Sequence, residues 1–266
     1  MQTDYWLKQE SDNPLFPDLQ WSRPENRQHA GKLLIVGGNQ FGFVEPAAAY
    51  TAAETAGIGT SRMLLPDSLR PFVGKTFTAG ELAPSTPSGS LSQQALGLML
   101  QEAGWADAVL LAGGFGRNSE TAILLEKFTN AYEGLLTVTK DAADYFTSSP
   151  ESVLSRERTM FVISMAQLQK LASNIKFTRA FTFGMDLIRL VETLHDFTVK
   201  YPVIIVVKHL DNILVSAYGQ VSSTKLRTDK ATWRVETAAC ACVWWLQNPD
   251  KAFDAVTTAV YEVSNK

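Results

Sequence analysis

Short runs of consecutive apolar residues recur along the chain, each bounded by glycine, proline or polar residues. Runs of this kind are typical of strands that are buried on both faces of a parallel sheet. Tyr218 and Gly219 separate the last two runs, which predicts a hairpin there. The pattern predicts strands at residues 33–36, 62–65, 108–112, 135–138, 160–163, 203–207, 213–217 and 220–226.

Segments in which apolar residues recur with helical spacing lie between most of these strands. The pattern predicts helices at residues 46–56, 119–131, 165–172, 183–198, 237–246 and 250–263, and one more that ends near residue 103. Strands that alternate with helices predict an α/β fold, in which helices cover both faces of a mostly parallel sheet. The predicted hairpin adds antiparallel strands at one edge of that sheet.

The first 31 residues differ from the rest, because Pro14, Pro17 and Pro24 lie among polar residues there. We predict that residues 1–31 form an irregular N-terminal arm, which either packs on the body as a loop or reaches a neighbouring subunit. No repeat, charge block or linker interrupts residues 32–266, so we predict a single domain there.

The composition of the chain argues against some classes of binding partner. The 266 residues carry a net charge of −3, which argues against a basic face for nucleic acid. No apolar run approaches the ~20 residues that cross a bilayer, and the first residues lack the features of a secretory signal, so we expect a cytoplasmic protein without a membrane partner. Charged residues make up only 19 %, which together with the aromatic arm favours a homo-oligomer.

Several common motifs for binding nucleotides or metals are not matched by the sequence. Residues 74–76 match the end of a Walker A motif, but Leu69 stands where its first glycine belongs. Asn39 breaks the glycine fingerprint of dinucleotide-binding folds. Cys240 and Cys242 are two residues apart on a predicted helix and therefore face different sides, so we predict that they belong to the core and expect no metal site.

Two glycine-rich turns remain, at residues 37–38 and 113–116, and each directly follows a predicted buried strand. Ligands of open α/β sheets lie beyond the carboxyl ends of the strands. Glycine allows backbone N–H groups to approach an anion closely. A turn of this kind is either part of a binding site or simply a tight connection.

The chain resembles the ribokinase-like superfamily and, within it, the ADP- or ATP-dependent NAD(P)H-hydrate dehydratases. The family's opening strand runs into Gly-Gly-Ser, where residues 33–39 read Leu-Leu-Ile-Val-Gly-Gly-Asn. Its second landmark, Pro-Gly-Leu-Gly-Arg, corresponds to Gly-Gly-Phe-Gly-Arg at residues 113–117. The resemblance covers roughly residues 27–263 and implies a ribokinase-like three-layer α/β/α sandwich.

The resemblance also implies a nucleotide site. Lys208 and Asn212 lie in the segment that corresponds to the family's nucleotide-contacting Lys-Gly-Ala-x-Thr. Its Gly-Thr-Gly-Asp motif, an anion hole at a helix N-terminus followed by the base, corresponds to Trp-Arg-Val-Glu at residues 233–236. Arg234 and Val235 would therefore contact nucleotide, with the charge of Arg234 in place of the backbone hole. Alternatively, Arg234 and Glu236 are ordinary charges at the start of a helix, where the helix dipole favours the glutamate.

On the substrate side, the resemblance assigns Gly38, Asn39, Gly114 and Gly116 to the two glycine turns. Larger residues replace the family's small Thr-Gly-Ala at the entrance, where Glu45 is the polar candidate. Met165 replaces the histidine that contacts substrate, and Glu236 replaces the aspartate that acts as base.

Three classes of function stay open. The resemblance implies dehydration of hydrated NADH or NADPH with ADP or ATP and Mg²⁺, or a sibling small-molecule kinase. The lost glycines and histidine instead favour a non-catalytic relative that binds a nucleotide or serves in assembly, because each lost anion-hole donor costs about 10²–10³ in rate. A third possibility is a different reaction that uses Glu45, Asp141 and Glu236 as acid and base groups.

Overall fold

A computed structural model describes residues 4–10, 12–74, 78–226 and 233–265. These residues contain one ten-stranded sheet. Its strands are β1 (Trp6–Gln9), β2 (Lys32–Gly37), β3 (Thr60–Pro66), β4 (Gly80–Ala83), β5 (Ala108–Gly113), β6 (Leu135–Thr139), β7 (Thr159–Ile163), β8 (Val203–His209), β9 (Asn212–Ala217) and β10 (Gln220–Lys225).

The strand order is β1-β10-β9-β8-β7-β6-β5-β2-β3-β4. Neighbours from β8 across to β4 run parallel, and β9 pairs antiparallel with both β8 and β10. The parallel strands are apolar on both faces because helices cover both faces. The predicted α/β class with a mostly parallel sheet and a late hairpin is confirmed.

Helices form the two outer layers. One layer packs α2, α10 and α11 on one face of the sheet, and the other packs α4, α5, α8 and α9 on the opposite face. Short helices lie in the connections. The helices are α1 (Pro17–Trp21), α2 (Val44–Thr55), α3 (Arg70–Val73), α4 (Leu96–Trp105), α5 (Ser119–Ala131), α6 (Ala142–Tyr145), α7 (Glu151–Leu154), α8 (Met165–Asn174), α9 (Leu187–Lys200), α10 (Trp233–Gln247) and α11 (Ala252–Asn265).

Part of the segment predicted as an irregular arm belongs to the sheet. Strand β1 pairs in parallel with β10 and forms the outer edge beyond the hairpin. The indole N–H of Trp6 donates to Ser223 (3.0 Å), and the buried amide of Gln9 donates to Thr224 (2.9 Å). The described part of the segment therefore packs on its own chain.

Two further elements differ from the pattern-based prediction. Strand β4 was not predicted, because it is four residues long and begins with a glycine. The helix predicted from residue 183 begins at Leu187, since the Asp186 side chain accepts a hydrogen bond from the Arg189 N–H and caps the helix there. Among the described residues, no helix combines the length and apolarity needed to span a bilayer.

Candidate functional site

The two glycine turns meet at the carboxyl edge of the sheet, where β2 and β5 are neighbours. The Gly38 N–H donates to the Gly113 carbonyl (3.0 Å), and the Asn39 amide donates to the Gly114 carbonyl (2.6 Å). A Cβ on Gly37 would lie 2.3 Å from the Gly113 oxygen. The close approach of the two turns therefore requires glycine at position 37.

A side chain of the protein itself occupies the second turn. The Asp141 carboxylate follows β6 and accepts hydrogen bonds from the backbone N–H groups of Gly114 (2.7 Å) and Gly116 (3.0 Å). The Tyr145 hydroxyl donates to the Gly116 carbonyl from the same side. The N–H groups that the sequence suggested for a substrate anion thus hold an internal anion.

The groups around the Asp141 carboxyl have opposing effects on its pKa. Burial raises the pKa of the Asp141 carboxyl above its ordinary value and the Glu45 charge raises it further, whereas the N–H groups of Gly114 and Gly116 lower it. The Glu45 Oε2 lies 3.1 Å from where a Cβ on Gly114 would stand. Glu45 and Asp141 therefore give the crevice between the turns a negative character.

Arg234 lies at this crevice in the first turn of α10, in the same helical layer as Glu45 of α2. Its guanidinium donates to the Gln167 Oε1 (3.2 Å). Burial lowers the pKa of Arg234, and the charges of Asp144 and Asp141 raise it. Gln167 in turn donates to Asp144 Oδ1 (3.1 Å), so the side chains of Asp144 in α6, Gln167 in α8 and Arg234 in α10 form one polar network.

Lys208 lies near the end of β8, beside the end of β7, since Val207 pairs with Ile163. Side chains alternate between the two faces of a strand, and Ile204 and Val206 belong to the core beneath α10. Lys208 therefore shares the face of the sheet on which α10 begins. Asn212 begins β9 across the following turn, where its amide donates to Asp211 (2.8 Å).

The remaining candidates lie elsewhere. Glu236 lines a cavity of about 360 Å³ between α2, α10 and α11, together with Thr51 and Cys240. Val235 is buried in the core beneath α10, so only its backbone is a candidate for a nucleotide contact. Met165 is buried in the opposite core and fills the space behind the start of α8.

A cleft of about 540 Å³ opens beside Asp141, between the start of α5 and the loop after β6. Tyr145 and Asp144 line this cleft, and sequence reasoning had singled out neither residue. Their polar side chains lie in the connection that follows the buried strand β6, and that position is the signal that would have suggested them. Within the described ranges, no group of three or more acidic, histidine or cysteine side chains is placed to hold a metal ion.

No family model matches the sequence, and a search of curated proteins finds no relative. Solved structures do match. A ribokinase-like superfamily protein from Enterococcus faecalis V583 superposes with a TM-score of 0.73 at 14 % identity, over 99 % of this chain and 88 % of that one.

Two further matches carry named activities. An ADP/ATP-dependent NAD(P)H-hydrate dehydratase from Bacillus subtilis, co-crystallised with ATP and Mg²⁺, gives a TM-score of 0.62 at 11 % identity, covering 94 % of this chain and 87 % of that one. A phosphomethylpyrimidine kinase from Clostridium difficile 630 gives 0.58 at 7 % identity, covering 88 % and 100 %. The sheet order, the helical layers and these superpositions agree, and the chain has the ribokinase-like fold.

Proposed function

We propose that this protein binds a nucleoside di- or triphosphate at the start of α10, with Lys208 and Arg234 as its phosphate contacts. The observation that carries the proposal is the shared position of these two cations. Arg234 lies in the first turn of α10, and Lys208 faces the same layer from the neighbouring end of β8. Both belong to the carboxyl edge of the sheet, where ligands of such folds bind.

The helix itself adds to the attraction. Helix α10 has 15 residues, and the N–H groups of a first helical turn have no partner within the helix. Together with the helix dipole they favour an anion at that end. Residues 227–232, which lead into α10, lie outside the described residues.

The residues fit a nucleotide better than they fit a resident metal ion. Lys208 and Arg234 provide positive charge for phosphate oxygens. Mg²⁺ commonly enters such sites on the phosphates themselves, with one or two carboxylates of the protein. Asp144 is the carboxylate that the Gln167 network holds beside Arg234, and it would be the protein's contact to that ion.

We further propose that the bound nucleotide does not serve the dehydration reaction through Glu236. That reaction needs a base at the substrate, whereas Glu236 lines a cavity between three helices. Geometric errors of about 1 Å already cost roughly 10²-fold in rate. The glycine turn that would hold a substrate anion is filled by Asp141.

Calorimetric titration with ADP and with ATP, each with and without Mg²⁺, tests the binding proposal. We expect Lys208→Ala and Arg234→Ala each to weaken binding about tenfold, which corresponds to ~1.4 kcal/mol. Lys200→Ala removes an exposed lysine at the far end of α9 and serves as the matched control. Absence of binding up to millimolar nucleotide would overturn the proposal.

Dehydration of hydrated NADH is the second candidate, because the 540 Å³ cleft beside Asp141 offers a carboxyl group with a raised pKa to a substrate. Recovery of NADH absorbance from the hydrate measures this activity directly. If Asp141→Asn abolishes this activity and Glu236→Gln retains it, the result would establish this candidate with Asp141 as its acid–base group. Activity that only Glu236→Gln abolishes would refute our placement of Glu236 outside the reaction.

A further inference from the structure

An apolar pocket of about 280 Å³ opens at the mouth of the crevice, on the side of β2. Phe41 is 89 % exposed and Phe72 is 72 % exposed, although both line this pocket. Phe43 and the first turn of α2 form the rest of the lining. Aromatic side chains this exposed, gathered around one concavity, mark a binding surface.

The loop that presents Phe41 is tied down by hydrogen bonds. Asn39 and Gly42 exchange backbone hydrogen bonds (3.1 and 2.9 Å), and the Asn39 side chain accepts the Phe41 N–H (2.8 Å). The Gln40 N–H donates to the Gly89 carbonyl (2.9 Å), which fastens the tip of the turn to a second loop. The Phe41 ring is therefore held at the surface by a defined turn.

The pocket is continuous with the crevice. A Cβ on Gly38 would lie 3.2 Å from the Phe43 Cβ, so the floor of the pocket touches the first glycine turn. Glu45 follows on the same helical turn, and its carboxylate approaches Gly114 next to Asp141. A ligand that places a ring in the pocket would therefore meet carboxylate acceptors at its inner end.

We propose that this pocket binds a planar aromatic ring of a small molecule that carries a cationic or hydrogen-bond-donating nitrogen group. Phe41 and Phe72 contact the ring, since aromatic pairs gain energy beyond the area that they bury. Glu45 accepts the hydrogen bonds of the nitrogen group. The concave shape of the 280 Å³ pocket and its continuity with the crevice of Glu45 and Asp141 favour such a ligand over the flat apolar surface of a protein partner.

The pocket and the proposed nucleotide site take different molecules or different ends of one long molecule. Phe41 follows β2 and Lys208 is the last residue but one of β8, and these strands are four steps apart in the sheet. With a spacing of about 4.8 Å per step, Phe41 and Lys208 are roughly 19 Å apart across the sheet. The pocket is thus separate from Lys208, and the inference goes beyond the nucleotide proposal.

Benzamidine is the probe, because it joins a planar ring to a cationic amidine, and acetamidine has the same amidine without the ring. We expect the wild-type protein to bind benzamidine in an NMR titration and to bind acetamidine about tenfold more weakly. The double variant Phe41→Ser, Phe72→Ser should lose about tenfold in benzamidine affinity. Trp21→Ser, which changes an aromatic side chain that is 88 % exposed outside the pocket, should retain it.

Equal binding of the two amidines, or equal benzamidine affinity of wild type and double variant, would overturn the proposal. The proposal would also be overturned if the wild type and Trp21→Ser sedimented as dimers and the double variant as a monomer. The pocket would then be an interface between copies of the chain. Thermal melting checks that the double variant is folded. Binding of ADP with Mg²⁺ by the double variant stays at the wild-type level, so failure of the nucleotide site is distinguishable from failure of this pocket.

Discussion

Replacing Asp141 perturbs the hydrogen bonds that join β5, β6 and the second glycine turn. Its carboxylate is the acceptor for the N–H groups of Gly114 and Gly116, at 2.7 and 3.0 Å. Both glycines have a positive φ, and a Cβ on Gly113 would lie 2.6 Å from the Lys140 side chain. The turn is therefore built closely around this carboxylate, and its removal leaves two N–H groups facing the crevice.

Hydrogen bonds to a charged group contribute about 1.5–3 kcal/mol each, so the gross loss in Asp141→Ala is roughly 3–6 kcal/mol. Two effects reduce it. The cost of burying the charge disappears, and so does its repulsion by Glu45; these two causes together raise the pKa of Asp141 against the effect of the two hydrogen bonds. Water also enters the open cleft. We expect a net loss of about 1–2 kcal/mol, and Asn, which keeps one acceptor, should lose about half as much.

Urea unfolding at neutral pH measures this loss, and a thermal melt should show a decrease of about 4 °C, at roughly 2–4 °C per kcal/mol. Asp211→Ala removes an exposed carboxylate whose ion pair with Lys225 spans 3.6 Å, and it should change stability by less than about 1 kcal/mol. Inorganic phosphate should stabilise Asp141→Ala more than the wild type, because the variant adds two vacant N–H donors in the second glycine turn. Unchanged stability in Asp141→Ala would refute the reasoning.

The pH dependence follows from the same balance. The pKa of Asp141 is raised above its ordinary value of 3.8 in the folded protein, so the folded state binds more protons than the unfolded chain between the two values. Stability from this group is then present below the ordinary pKa and decreases as the pH rises through the raised one. Relative to Asp141→Asn, the wild-type free energy of unfolding should fall over that interval; a rise would contradict the assigned direction.

Two further predictions concern buried groups away from the crevice. Gln9→Ala should lower the free energy of unfolding in urea by about 1–3 kcal/mol, because the Gln9 amide donates to Thr224 (2.9 Å) and to the Thr257 carbonyl (3.2 Å). Lys8→Ala, which changes the exposed neighbouring residue, is the control. Equal losses in the two variants would contradict this prediction. Burial raises the pKa of the Cys242 thiol to about 12, so a disulfide reagent at about pH 8 should not modify Cys242 in the folded protein and should modify it in denaturant. Rapid modification of Cys242 in the folded state would contradict its burial and show that α10 separates easily from β6.

The parallel strands were predictable because each is an uninterrupted apolar run, buried on both faces. Strand β1 was not, since it is four residues long, contains Lys8, and joins the sheet only through pairing with β10. Local pattern carries no information on such a distant partner. The capping box of Ser164 and Gln167 is local, however, and its Ser-x-x-Gln spacing was available in the sequence as the sign of the start of α8.

For the candidate site, the order of strands and turns implied that residues 37–38 and 113–116 share one edge, and the structure brings them together. Three features escaped prediction. The position of Asp141 against the turn depends on backbone geometry after β6, where Lys140 has φ +55°. The direction of Glu236 depends on how α10 rotates against α2. Phe41 and Phe72 are exposed because little of the described chain packs on them, and the local sequence does not encode which distant segments come close.

The pairing of β1 with β10 also determines when this edge of the sheet can form during synthesis of the chain. Its Gln9 bonds to Thr224, 215 residues later in the sequence. At about 5–20 residues per second, the ribosome needs roughly 10–40 s to deliver that partner. The first strand therefore has to wait, unpaired, while nearly the entire sheet is made. Completion of this edge is a late event, and until then β1 stays open to pairing with strands of other chains.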